Sequence, residues 1–194
     1  RKSSVGEVCT ENTHPFKQGQ LVFCQNGTIK EHISVPAQYI LQGTTDSEKL
    51  FCRILTQLDP DPIQGIQQSM SQLTQYTGLN FVLSSPSQTI INIHSQKAPL
   101  FYQMYMLQQK EVVIISSDPL SDDVWKPISG GNILTIHHDT LKVSFYPRIS
   151  ISPSTPSPSE SCEQTHQSAP WKYPPSPLPV SLLESFDESH WDHH

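Results

Sequence analysis

Three things are scarce in this chain, and each scarcity excludes something. No apolar run exceeds four residues, as in Val112–Ile115, far short of the ~20 needed to span a membrane. Basic residues are few: residues 1–148 carry 11 Lys+Arg against 12 Asp+Glu and show no Lys/Arg cluster, which argues against a large direct nucleic-acid footprint. The four cysteines, Cys9, Cys24, Cys52 and Cys162, match no zinc spacing, because there is no C-x2-C pair and no nearby H-x3-H partner. Cys24 and Cys52 sit in apolar contexts and read as buried thiols. No Walker loop, no G-x-G-x-x-G and no nucleophile elbow is present, so no cofactor is expected.

What is present divides at Pro147. Residues 147–179 hold nine of the seventeen prolines and eight serines, a composition that cannot build a packed core. Residues 149–194 carry one Lys and six acids. Their net negative charge suits a basic groove on a protein partner. The expected organisation is a flexible segment 1–15, an α+β domain 16–147, a disordered Ser/Pro-rich linker 148–179 and an acidic-aromatic docking motif 180–194. Arg1 stands where a methionine would open a chain, so a processed chain or a piece of a longer one is expected.

Within the domain, Leu21–Cys24 and Thr28–Ile33 flank Asn26-Gly27. That dipeptide predicts a type I′ hairpin, a reading preferred to the glycosylation sequon Asn26-Gly27-Thr28. Tyr39–Gln42 is a candidate short strand. Lys49–Thr56 reads as a central strand with Leu50, Cys52 and Ile54 on one face and Phe51 and Leu55 on the other. Helix Asp61–Thr77 has Asp61 as N-cap, Pro62 as N1 and Gly78 as its left-handed stop, with Ile63, Ile66, Met70 and Leu73 on one stripe. Strands follow at Asn80–Leu83 and Thr89–Ile93. Leu100–Leu107 fits either a strand paired with Glu111–Ser116 or a helix. Ile133–His137 and Thr140–Phe145 form a second hairpin around His138-Asp139. The fold class expected is α+β: a mixed sheet with antiparallel hairpins and one β-α-β crossover, followed by a disordered tail.

Candidate sites are sparse. Asp118, Asp122 and Asp123 lack the oxygen-ligand spacing of a calcium loop and read as a solvated turn. His137, His138 and Asp139 read as turn residues, because neighbouring residues on a strand diverge. The histidines His190, His193 and His194 are too weak a pattern for a metal. Ser152, Thr155, Ser157 and Ser176 each precede proline and are candidate phosphorylation sites. Leu182, Leu183, Phe186 and Trp191 are bulky apolar residues in an acidic arm and are the candidate partner-binding anchors. Packing back on the domain, and a cut-off further element, are the competing readings.

The order β-β-β-α-β over residues 20–145, with the linker and the short C-terminal helix, resembles the transducer region of a topoisomerase VI B-like subunit of the meiotic DNA-break machinery. That resemblance implies a non-enzymatic interaction module, no ATP site in this chain, nuclear location and DNA association through a complex. The protein partner would be held by the C-terminal arm, with no membrane contact. Without the resemblance, a nuclear or a cytoplasmic site fits equally. A pleckstrin-like peptide-binding domain is the alternative, with Asp61–Thr77 as the closing helix. An enzyme stands third, with His14, His94, His137 and Asp139 as its only obvious residues.

Overall fold

The computed structural model describes residues 5–147. The docking anchors Leu182, Leu183, Phe186 and Trp191, and the Ser-Pro positions Ser152, Thr155, Ser157 and Ser176, lie outside the described residues.

The chain enters through a 3₁₀ turn at Thr10–Asn12 and then forms β1 (Phe16–Gln18) and β2 (Leu21–Asn26). Two consecutive helices follow, α1 (Asp46–Leu55) and α2 (Pro62–Ser71). The rest is β-structure: β3 (Asn80–Ser84), β4 (Gln88–Ile93), β5 (Met104–Gln108), β6 (Val113–Ser116), β7 (Lys126–Ile128), β8 (Asn132–His137) and β9 (Val143–Pro147). A six-stranded sheet runs β1-β2-β3-β4-β8-β9, and a three-stranded sheet runs β6-β5-β7. Every pairing in both is antiparallel.

The α+β class therefore stands, but the β-α-β crossover does not. Lys49–Thr56 lies in α1, not in a strand. Its buried residues Leu50, Phe51 and Ile54 recur at helical spacing, and Thr45 caps the start by accepting from the Glu48 N–H at 3.2 Å. Thr45 and Glu48 are the first and last positions of a capping-box pattern, which fixes a helix start where strand propensity alone is ambiguous. Arg53 lies in the last turn, where a cation meets the negative end of the helix dipole.

α2 begins as expected. Asp61 accepts from the Ile63 and Gln64 N–H groups, with Pro62 in the first turn. It ends earlier than expected, at Ser71 with Gln72 as C-cap, so Gly78 does not terminate it. The segment after it extends, and Gly78 instead bridges Ser95. The Tyr39–Gln42 strand is absent; those residues form a loop held by the Glu48 carboxylate. The pleckstrin-like alternative fails on element order, since both helices precede seven of the strands.

Both faces of the six-stranded sheet are covered. On one, Phe51 of α1 stacks on Phe23 at 5.0 Å between ring centroids, and Phe23 meets Phe81 at 5.3 Å. On the other, Ile91, Ile93, Leu134 and Ile136 pack against Met106 and Ile128 of the small sheet. The strand alternation sends successive side chains to these two cores, which is why β4 and β8 are buried on both sides.

Candidate functional site

The Asn26-Gly27 dipeptide does not make a hairpin. Asn26 has no positive φ, so a type I′ turn is excluded, while Gly27 sits at φ 140°. The chain leaves β2 here and pairs with the stretch after α2. The Ile29–Tyr76 bridge marks this pairing, with Thr77 N–H donating to Thr28 O at 2.9 Å and Lys30 N–H to Gln75 O at 2.8 Å. The backbone approach is close: a Cβ on Gly27 would lie 1.8 Å from the Gly78 carbonyl oxygen, so only glycine fits. β1 pairs only with Leu21–Phe23, and β2 runs past it to Asn26. Among the described residues no group accepts from the Gly27 N–H.

The start of α1 lies against this bend. Thr45, Asp46, Ser47 and Glu48 are all buried, an uncommon density of polar side chains in a core. Glu48 is consumed by structure: its two oxygens accept from Gln42 and Gly43 N–H at 2.7 and 2.9 Å. Ser47 donates to Gln25 Oε1 at 2.6 Å, and the Gln25 amide reaches the Gly78 carbonyl at 3.5 Å. Asp46 is different. It is 7% exposed, and Oδ2 accepts from the Ile29 N–H at 2.6 Å. No cation pairs with it among the described residues. A buried carboxylate is costly unless it is paired and hydrogen-bonded, which makes Asp46 a candidate to receive a positively charged ligand.

Gly27 and Asp46 are thus joined through Ile29. Two residues separate the Gly27 and Ile29 amides, so at most about 7 Å lies between them. One end of this short span offers an N–H donor and the other a carboxylate.

The matching family model is that of class-II glutamine amidotransferases. It covers residues 1–86, which include Gly27 and Asp46. A Haemophilus influenzae protein provisionally named a glutamine amidotransferase is 30% identical over 168 residues, covering 69% of this chain and 57% of the relative. An uncharacterized Methanocaldococcus jannaschii protein is 24% identical over 176 residues, covering 73% of this chain and 49% of the relative. The chain spans about half the length of the curated relatives it matches. Among solved structures, a predicted glutamine amidotransferase from Pseudomonas aeruginosa superposes with a TM-score of 0.57 at 17% identity, covering 69% of this chain and 65% of that one. The glutamine phosphoribosylpyrophosphate amidotransferase of B. subtilis gives 0.55 at 16%, over 74% of this chain and 33% of that one. At these identities the structures share the fold.

These matches overturn the topoisomerase VI-like reading. With it go the non-enzymatic scaffold and the meiotic and DNA-recombination role, since the family model and the structural neighbours point to glutamine amidotransferases. The preference for a nuclear location loses its only support. Among the described residues no helix is long and apolar enough to cross a membrane.

The residues expected of an enzyme are not brought together here. His14 packs edge-on against Phe16 at 4.9 Å, and His94 lies 5.6 Å from the Tyr76 ring. His137, the last residue of β8, and Asp139, in the β8–β9 connection, are exposed. That turn is longer than two residues, closing through His137 N–H to Lys142 O at 3.1 Å. His138 ties it to the β3–β4 turn, with Nδ1 near Pro86 O at 3.0 Å and Nε2 near the Thr89 hydroxyl at 2.9 Å. Among the described residues no three His, Cys, Asp or Glu side chains cluster as a metal site. Burial and the nearby Glu48 charge push the Cys52 thiol up to about 11, which disfavours the thiolate that a nucleophilic cysteine needs. Sequence reasoning missed Gly27 as a site residue by assigning Asn26-Gly27 to a hairpin. It missed Asp46 by passing over the T-x-x-E signal that places it on a helix.

Proposed function

We propose that this chain supplies the glutamine-binding and amide-activating part of a glutaminase site of the class-II amidotransferase type. The observation that carries the reading is the buried Asp46 carboxylate, which meets no cation among the described residues and is tied through the Ile29 N–H to the bend at Gly27. Free L-glutamine has an α-ammonium at one end and a carboxamide at the other. Asp46 receives the ammonium. The Gly27 N–H donates to the carboxamide oxygen, which gains negative charge when the carbonyl carbon is attacked. A rigid donor at that oxygen is stronger for the tetrahedral intermediate than for the planar amide, and so lowers the barrier. The φ of 140° and the Gly78 contact fix the donor's direction before substrate arrives. Water supplies the incoming oxygen overall, and the products are glutamate and ammonia. Specificity for a free amino acid follows from Asp46, because a glutamine inside a peptide has no α-ammonium to offer.

The test is turnover by the full-length protein. Equal release of glutamate and ammonia from L-glutamine, with none from its N-acetyl derivative, is the expected result. No turnover together with no calorimetric binding of L-glutamine would sink the reading.

A further inference from the structure

Behind Gly27 stands a stack of groups that the matched stretch of residues 1–86 does not contain in full. Gly27 is pressed by the Gly78 carbonyl. Gly78 is pressed in turn by Tyr102: a Cβ on Gly78 would lie 2.4 Å from the ring atom Cε1 and 2.6 Å from Cζ. The Tyr102 hydroxyl donates to Thr77 Oγ1 at 2.9 Å. The same oxygen accepts from the Thr28 N–H at 3.0 Å, one residue beyond Gly27. Tyr102 is itself held. It is 9% exposed, its carbonyl accepts from Asn80 Nδ2 at 2.7 Å, and Phe101 meets its ring edge-on at 5.1 Å. Asn80 is locked by accepting from the His94 N–H at 3.0 Å.

We infer that Tyr102 is a positioning residue for the proposed amide-activating donor: its ring sets the Gly78 backbone against Gly27, and its hydroxyl fixes Thr28 through Thr77. The physical reason is that glycine, with no side chain, cannot hold its own peptide plane. Gly27 and Gly78 both lack a Cβ to pack, so besides the Gly78–Ser95 bridge the direction of the Gly27 N–H is imposed by the side chains around them. The Tyr102 ring is the wall that imposes it. It reaches the site from the β4–β5 connection, far along the chain from the bend it supports. Catalysis depends steeply on such placement, since a donor slightly misaligned loses most of its preference for the tetrahedral state.

This inference rests on the glutaminase reading, and the experiment separates the two. The Tyr102→Leu and Tyr102→Phe variants are made in the full-length protein, and the amide resonances of Gly27 and Thr28 are recorded by NMR. Steady-state kinetics on L-glutamine are measured alongside. Tyr102→Leu is expected to displace the Gly27 amide signal and to lower kcat about tenfold with KM nearly unchanged. Tyr102→Phe keeps the ring, and is expected to recover most of kcat while displacing mainly the Thr28 signal. An unmoved Gly27 resonance in Tyr102→Leu overturns the positioning role, whatever the enzyme does. So does a rise in KM with kcat intact. If the leucine variant does not fold, the phenylalanine variant decides: a displaced Thr28 signal supports the role, and an unmoved one removes it. Absence of turnover in the unsubstituted protein sinks the glutaminase reading alone, because the resonance positions still report on the Gly27 geometry.

Discussion

Replacing Asp46 by asparagine and by alanine separates the structural job this carboxylate performs from the substrate-binding job proposed for it. In the fold, Oδ2 accepts from the Ile29 N–H at 2.6 Å, and Asp46 opens the first turn of α1. Asparagine keeps an acceptor oxygen in the same place and removes only the charge. The loss of the charge-assisted bond and of the helix-dipole attraction destabilises, while relief of a buried charge stabilises. These opposing terms are similar in size, so Asp46→Asn should change stability by no more than about 1 kcal/mol. Alanine leaves the buried Ile29 N–H without its acceptor and should cost about 1–3 kcal/mol. Under the proposed glutaminase reading, substrate binding follows a different order. Either variant would deprive the glutamine ammonium of its counter-ion, worth about 2 kcal/mol as a hydrogen bond to a charged group, or about thirtyfold in Kd. The assay pairs denaturant unfolding with calorimetric titration of L-glutamine. The reasoning is refuted if Asp46→Asn binds glutamine within threefold of the unsubstituted protein, or if asparagine destabilises as much as alanine does.

Other substitutions test the bend at Gly27 and the fold that carries it. Gly27→Ala would place its Cβ 1.8 Å from the Gly78 oxygen at a φ of 140°, and should cost about 3 kcal/mol or more in chemical denaturation. Asp61→Ala removes the cap of α2 and should cost about 1 kcal/mol, read as a shift in the urea midpoint at constant slope. Thr135 carries a buried hydroxyl with no partner among the described residues, so Thr135→Val should stabilise by about 1 kcal/mol, seen as a raised Tm. Cys52 titrates near 11, above the ordinary thiol value of 9.0, so its burial favours the neutral folded form. Stability from this group is therefore full below pH 9 and declines as pH rises toward 11. At pH 8 a thiol reagent should modify exposed Cys9 rapidly and Cys52 only at the rate of unfolding, as mass spectrometry of the quenched protein would reveal.

Much of the β-structure was legible because period-2 alternation is a local signal. Asn80–Leu83, Thr89–Ile93 and the pair 132–137 with 143–147 were expected near where they occur, while the pair 104–108 with 113–116 settles as strand a stretch whose periodicity also allowed a helix. The α2 start was legible because Asp61-Pro62 combines a capping side chain with a residue that has no N–H to lose. Residues 49–56 misled because Leu50, Phe51, Ile54 and Leu55 satisfy two periods at once. The information that resolves them lies upstream, in the cap at Thr45 and Glu48. Reading that cap would have placed Asp46 in a helical first turn and flagged an acid with apolar residues close behind it. The candidate site itself was less legible. Nothing near Asn26-Gly27 announces a partner some fifty residues away, since Thr28 to Thr77 is a contact the chain makes only after both helices have packed.

The sequence by itself determined the element types wherever a side chain acts on its own neighbours: the capped helix starts and the alternating strands. Only the tertiary structure decided which backbone each strand meets. That choice turned Asn26-Gly27 from a hairpin into a bend held by Gly78, and put a buried carboxylate beside it. The physical reason is range. Caps and periodicity act within one turn or one pleat, whereas strand pairing is settled by cores assembled from both ends of the domain, where Phe23, Phe51 and Phe81 meet.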